Sequence, residues 1–223
     1  MDVLKGILLF FDAIIFLYFG VYCAVNLILL VISFFSVRRD LERAQLGVGE
    51  AIDRSQRDAF SPLLSLIVPA YNEEVTIVES VRSLLRLDYP AYEVIMVNDG
   101  SKDKTVEVLK AAFELVRNDV DYHDLLGAQP VRGLYRATVQ LPKQVVRLVL
   151  VDKENGGKAD AINAGINASQ GSYVATMDAD SLMIKDALHA IVQPILDDPN
   201  RVLAVGGSIA LSNGCIVQDG KII

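Results

Sequence analysis

The hydrophobic pattern changes character once along the chain. Residues 6–36 carry a single charge, Asp12, and Ala13–Val37 is an uncharged run of 25 residues. As a helix rising about 1.5 Å per residue, that run reaches roughly 35 Å, which crosses a bilayer core with some tilt. A cleaved signal sequence has an apolar region of only about 7–15 residues and closes on a small-residue cleavage site. Here the run is longer and ends in Phe34-Phe35-Ser36-Val37-Arg38-Arg39, so the pattern predicts an uncleaved transmembrane anchor over residues 1–37. Its all-round apolarity argues against a core helix of a soluble domain. Asp12 and Asn26 within it call for a partner helix or a headgroup-level position. Arg38, Arg39 and Arg43 flank one end, against Lys5 and the terminal amine at the other. The excess of Arg on that side places the remainder of the chain in the cytoplasm. Residues 38–62 read as a juxtamembrane linker. Within it, Leu41, Ala44, Val48 and Ile52 stand near helical spacing, which suits an amphipathic segment on the membrane surface and equally a solvated helix or loose tether.

From residue 63 to 223 the pattern is that of an α/β domain. Short apolar runs rich in β-branched residues occur at Leu64–Ala70, Glu93–Asn98, Val145–Val151 and Tyr173–Met177, and Val202–Val205 begins a fifth. Helical periodicity occupies Val75–Leu87, Thr105–Val116 (with Asp103 placed to cap it), Ala159–Ala168 and Ile184–Leu196. Apolar strands alternating with helices imply a mainly parallel sheet covered by helices on both faces. Asn118–Lys143 breaks the rhythm with Pro130, Gly133 and Pro142. It reads as an inserted loop with a short strand at Gly133–Val139, and Gly207–Ile223 reads as a strand or hairpin.

Composition narrows the function. The chain has 223 residues, with 21 Lys and Arg against 28 Asp and Glu, a net charge of -7. An acidic balance of this kind excludes a general nucleic-acid binder, which carries a basic field. Cys23 and Cys215 have no Cys-x-x-Cys partners, and with 2 His in the chain neither a disulfide scaffold nor a structural zinc site is indicated. Free Cys residues fit a reducing compartment, which makes the sequon Asn167-Ala168-Ser169 a chance match. There is no G-x-S-x-G nucleophile elbow. His189, between Leu188 and Ile191, reads as structural.

In open parallel sheets the ligand crevice lies beyond the carboxyl ends of the strands, and polar residues collect there. The first strand ends in Pro69-Ala70-Tyr71-Asn72-Glu73-Glu74, the second in Asn98-Asp99-Gly100-Ser101, the third runs into Lys153-Glu154-Asn155-Gly156-Gly157-Lys158, and the fourth ends in Asp178-Ala179-Asp180. Taken singly, Asn72 or Asp99 would serve as a helix cap or turn residue. Gly156-Gly157-Lys158 is not a phosphate-binding Walker loop, since Asp152 and Ala159 stand where its first Gly and its Ser or Thr belong. Lys158 at a helix start can still neutralise an anion, where N–H groups are free. Asp178 and Asp180 are spaced to approach one hard cation from the same side, leaving positions for phosphate oxygens. The alternative for that pair is a solvated turn.

Together, Ile67-Val68-Pro69-Ala70-Tyr71-Asn72-Glu73, Val97-Asn98-Asp99-Gly100-Ser101, Asn155-Gly156-Gly157-Lys158-Ala159-Asp160-Ala161-Ile162-Asn163 and Asp178-Ala179-Asp180 resemble the family 2 glycosyltransferases with the GT-A fold. The Gly-Gly-Lys-Ala-Asp-Ala block and the leading apolar helix look most like the processive β-glycan synthases of the poly-N-acetylglucosamine, chitin and hyaluronan type. Cellulose synthases look less similar at that block. The resemblance implies an inverting transfer from a UDP-sugar, with UDP-N-acetylglucosamine the nearest donor, to a growing glycan or lipid-linked acceptor at a bacterial-type cell membrane. It also implies Mg²⁺ or Mn²⁺. Pro69, Ala70, Tyr71 and Glu73 would frame the uridine, and Asp99 would accept from the uracil ring. Lys158 would approach the phosphates, Asp160 would order its loop, Asp178 would lie near the ribose and sugar, and Asp180 would hold the metal. Such synthases carry a catalytic-base carboxylate well beyond the Asp-x-Asp and a Gln-x-x-Arg-Trp motif after it. Here 43 residues follow Asp180 and there is no Trp, so the acceptor half is expected to be absent and no catalytic base is named. The same pieces suit a non-catalytic nucleotide-sugar-binding module whose partner chain supplies that half, or a transferase of sugar to a polyprenyl phosphate.

Overall fold

A segment with few polar side chains still carries a polar backbone, and a helix satisfies that backbone within the segment. In the computed structural model, residues 2–47, 61–118, 122–207, 217–218 and 221–222 are described. They fall in two units, Met1–Arg54 and Ser55–Ile223. The first contains one helix, α1 (Asp2–Gly47). Its stretch Leu4–Phe35 is long and apolar enough to cross a membrane, and its described side chains are exposed. Asn26 donates its side-chain amide to the Tyr22 carbonyl at 2.8 Å, so this polar group is satisfied within its own helix. The first ten residues of the expected linker, 38–47, are helical and continuous with the apolar stretch. Leu41-Glu42-Arg43-Ala44-Gln45-Leu46 contains only good helix formers, and α1 continues through them to Gly47. Residues 48–60 of the expected linker lie outside the described residues.

The second unit is built on a six-stranded sheet in the order β3-β4-β5-β2-β1-β6. Four strands, β1 (Leu64–Ala70), β2 (Tyr92–Asp99), β5 (Val145–Lys153) and β6 (Tyr173–Thr176), pair in parallel. At one edge β4 (Val131–Ala137) pairs antiparallel with β5, and β3 (Leu115–Arg117) antiparallel with β4. The helices are α2 (Ile77–Leu84), α3 (Thr105–Phe113), α4 (Lys158–Asn167) and α5 (Ala187–Asp197). A separate hairpin pairs β7 (Val217–Gln218) with β8 (Lys221–Ile222), within the expected span. The insert's strand lies two residues earlier than expected, with a register shift between Val131 and Gly133. Val202–Val205 forms no strand. Its apolar residues have the propensity but no neighbour: Leu203 is 95 % exposed, and the described residues place no ladder partner on the outer edge of β6.

Topology decides which helix covers which face. The crossovers through α2 and α3 move along the sheet from β1 to β2 and on towards β5, whereas α4 returns from β5 past β2 and β1 to β6. Parallel crossovers are right-handed, so reversing the direction carries α4 to the opposite face. The packing follows. Leu66, Val68, Val94, Met96, Leu148 and Leu150 pack with α2, α3 and α5 through Ile77, Val81, Leu109, Phe113, Leu188 and Val192. The alternate positions Ile67, Ile95, Val97, Val149 and Val151 pack with Ala161, Ala164 and Ala168 of the α4 side. The helix lies close to the sheet: a side chain at Gly165 would run into Ile67.

That second face is closed below by a buried ionic cluster. Arg147 on β5 pairs with Glu93 on β2, the two side chains being 5 % and 0 % exposed. Arg147 also donates to the Ala168 carbonyl at the C-terminus of α4 (2.5 Å). Glu93 accepts from the Ser65 hydroxyl (2.5 Å) and from the Gln170 and Gly171 amides (2.6 and 3.2 Å). Gly171 is required here, because a Cβ would meet the Leu63 carbonyl at 2.8 Å. Replacing Arg147 with Met strands Glu93 as an unpaired buried charge, which costs about 3–5 kcal/mol. Urea unfolding of Arg147→Met should show that loss as a lower midpoint.

Candidate functional site

The strand order reverses between β1 and β6, and a cleft opens at their carboxyl ends, where open α/β sheets place ligands. It encloses about 240 Å³ and is lined by Pro69, Ala70, Tyr71, Glu73, Asp99, Lys158, Ala161, Asp178, Ala179 and Asp180. Of the nine residues singled out in the sequence, eight meet on this one wall. Asp160 does not line it. Ala161 and Ala179 had not been singled out; both are small residues beside charged ones. Ala179 is buried while Asp178 and Asp180 on either side are exposed, so the Asp-x-Asp segment packs its middle residue inward and turns both carboxylates out.

The loops after β1 and β2 are stapled to each other. Asn72, in the left-handed region at φ 58°, accepts from the Lys102 amide through its side chain (2.8 Å), while its own amide donates to the Ser101 hydroxyl (2.9 Å). The Glu73 amide donates to Thr105 Oγ1 (2.9 Å) and the Glu74 amide to Asp103 Oδ2 (3.1 Å). Asp103 also takes the Thr105 amide at the entry to α3 (3.0 Å). The expected cap therefore also bridges the two loops. Burial alone would raise its pKa, but hydrogen bonds from the Thr105 hydroxyl and from the Thr105 and Glu74 amides hold it below the ordinary carboxylate value.

Beneath the cleft lies a second ionic cluster, on the same sheet face as Glu93 and Arg147. Asp99 Oδ1 accepts from Lys153 Nζ (2.7 Å) and the Gly156 amide (2.9 Å), and Oδ2 accepts from the Gly157 amide (2.8 Å). Lys153 pairs further with Asp160, which accepts the Gln129 amide at 3.1 Å. The Gly156 and Gly157 amides, placed at the start of α4 where free donors would suit an anion, are thus given to Asp99. Burial would lower the Lys153 pKa, but hydrogen bonds and charges from Asp160 and Asp99 outweigh it and hold the ammonium above the ordinary lysine value. A raised folded-state pKa contributes stability below the unfolded value and loses it only as pH climbs through the folded one, so the cluster is intact across the neutral range. The sequence places Lys153 in the polar cluster after the third strand but assigns it no role, because its partner Asp99 is 54 residues away. Its signal was a lysine at the end of an otherwise apolar strand.

Across the cleft mouth Lys158 pairs with Asp178, both side chains more than half exposed. An exposed pair of this kind is worth about 0–1 kcal/mol, so an anionic ligand can take Lys158 from Asp178 at little cost.

Comparison with known proteins gives the family. The model described as glycosyl transferase family 2 matches residues 65–215. Poly-beta-1,6-N-acetyl-D-glucosamine synthase of Staphylococcus epidermidis is 30% identical over 151 residues, covering 67% of this chain and 29% of that protein. The synthase of the same name from Staphylococcus aureus (strain COL) is 29% identical over 150 residues, with the same coverage. This chain therefore spans about 29% of the length of these curated relatives. Among solved structures, the mannosyltransferase PcManGT from Pyrobaculum calidifontis, in complex with GDP-Man and Mn2+, superposes with a TM-score of 0.47 at 28% identity, over 63% of this chain and 34% of that one. S. aureus TarS 1-349 in complex with UDP-GlcNAc gives a TM-score of 0.42 at 22% identity, over 60% of this chain and 31% of that one.

Gly100 shows how little room the site has. Its φ is +69°, and a Cβ there would meet the Asn155 amide nitrogen at 2.7 Å, where Asn155 Nδ2 donates to the Asp99 carbonyl. Gly100→Ala should cost about 1–3 kcal/mol through the left-handed backbone alone, read in urea unfolding. Faster amide exchange at Gly156 than in β1 should accompany it.

Proposed function

The chain belongs to glycosyl transferase family 2, and from that premise we propose that its cleft binds a UDP-sugar with a divalent cation for inverting transfer of the sugar to a growing β-linked polysaccharide. The observation that carries this reading is the convergence of Tyr71, Asp99, Lys158 and Asp180, from the carboxyl-end segments of four strands, on one cleft. Similarity to the poly-N-acetylglucosamine synthases favours UDP-N-acetylglucosamine as the donor.

Pro69, Ala70, Tyr71 and Glu73 frame the uridine. Asp99 has given most of its roughly four lone-pair sites to Lys153, Gly156 and Gly157, and what remains accepts one hydrogen bond from the base. Lys158 leaves Asp178 for the diphosphate, and Asp178 then faces the ribose and sugar. Two outward carboxylates flanking a buried Ala179 form an oxygen donor set that suits Mg²⁺ or Mn²⁺ sharing its remaining positions with phosphate oxygens. Asp180, with Asp178 beside it, would hold the ion, which supplies charge neutralisation for the departing diphosphate. The acceptor hydroxyl attacks the anomeric carbon, the bond from that carbon to the diphosphate breaks, and UDP leaves with the electron pair. The hydroxyl proton passes to a base, a role assigned to no residue here. Apolar α1 anchors the enzyme in a membrane with the transferase unit on the cytoplasmic side.

Two measurements test this. In calorimetry, Mn²⁺ should tighten UDP binding by roughly tenfold, about 1.4 kcal/mol, and Asp180→Ala should abolish the gain. Equal affinity with and without the ion in both proteins would overturn the assignment. On fractionation the full chain should stay with membranes after a carbonate wash and a chain lacking residues 1–36 should not; release of the full chain would overturn the anchor.

A further inference from the structure

The reaction outlined above leaves the buried ammonium beneath the cleft without a task. The Lys153 side chain is 0 % exposed, and an ammonium group is taken out of water only where partners meet it on every side. Its three acceptors come from three different pieces of the cleft wall. Asp99 stands at the end of β2 (2.7 Å), the Glu154 carbonyl opens the loop after β5 (2.5 Å), and Asp160 lies in the first turn of α4. Asp99 passes the constraint on to the Gly156 and Gly157 amides. The next residue is Lys158, on the cleft.

We propose that Lys153 is a positioning residue for this site: its buried ammonium locks the 154–157 loop and the first turn of α4 onto the end of β2, and so sets where Lys158 meets the diphosphate of a nucleotide. The final clause rests on the nucleotide reading of the cleft; the locking does not. Without the ammonium, the Asp99 and Asp160 carboxylates share a buried site with no cation between them. Like charges there push apart. The glycine amides then lose a fixed acceptor, and Lys158 loses its fixed starting point.

The test uses the full chain in detergent, as wild type, Lys153→Met and Lys153→Arg. Hydrogen exchange should be about tenfold faster at Gly156 and Gly157 in Lys153→Met, with β1 and β2 amides unchanged, as local opening requires. UDP with Mn²⁺ should bind roughly tenfold more weakly. Lys153→Arg, which keeps the charge, should restore most of both. Exchange at the two glycines within about twofold of wild type overturns the proposal, as does equal acceleration throughout the sheet, which marks general destabilisation instead. If wild type binds no UDP, the nucleotide reading has failed, and glycine exchange alone decides the positioning role. If Lys153→Met does not unfold cooperatively, Lys153→Met with Asp160→Asn removes one charge of each sign and carries the same measurements.

Discussion

The seat of α4 is the constraint on which the second unit depends. A buried charge is tolerated only when partners surround it, and breaking such a set costs several kcal/mol. Two sets stand on one face of the sheet, six residues apart along β2 and β5. At the lower end, Glu93 and Arg147 hold the carboxyl terminus of α4 and the turn that follows it. At the upper end, Asp99, Lys153 and Asp160 hold its amino terminus. Between them the helix buries mostly small residues, Ala161, Ala164 and Gly165, with Ile166 packed partly against the same cluster. These allow a close approach to the sheet. The ionic ends add fixed points along the helix axis. That seat sets Lys158, the first residue of α4, at the cleft.

The second constraint is the reversal of strand order. With β2 on one side of β1 and β6 on the other, the loops leaving β1 and β6 part and leave an opening between them. The loops after β1 and β2 do not close it, because their polar groups are tied to each other through Asn72, Ser101, Asp103 and Thr105. A wall whose hydrogen bonds are already made presents a set geometry, and a ligand that fits it is spared the cost of ordering loops.

Much of this was legible in the residues. Leu64–Ala70 was bounded correctly at both ends because Pro62 precedes it and a polar cluster ends it. The parallel sheet with helices on both faces followed from apolar strands alternating with amphipathic helices. The convergence of four strand-end clusters followed from the rule that such ends share a rim. What was not legible depends on register. Glu93 and Arg147 lie within the expected strands and Lys153 in the polar cluster after the third, and only the pairing of β2 with β5, 54 residues apart, turns them into clusters. Asp160 is expected to order its loop because it sits in the motif, and its carboxylate turns away from the cleft to Lys153 and the Gln129 amide. Val202–Val205 failed in the opposite sense: local propensity was right for a strand, but a strand needs a neighbour.

Charge balance in the cleft gives the metal reading a basis that does not depend on family. Glu73, Asp99, Asp178 and Asp180 line it against one cation, Lys158. The ammonium beneath, on Lys153, is shared between Asp99 and Asp160. Without a ligand, Lys158 is held by Asp178, so the wall that a diphosphate would meet is net acidic. Like charges repel, most strongly where solvent is excluded, so a diphosphate meets this wall at a cost that a counterion would relieve. Releasing Lys158 to the phosphates does not cure the imbalance, because it leaves Asp178 beside Asp180 as an unopposed pair. On the proposed reading, a hard divalent cation held by Asp180 would supply the charge that offsets both excesses. On this account the proposed need for metal would follow from the apposition of acid and anion, with Asp180 as the cation's local counter-charge.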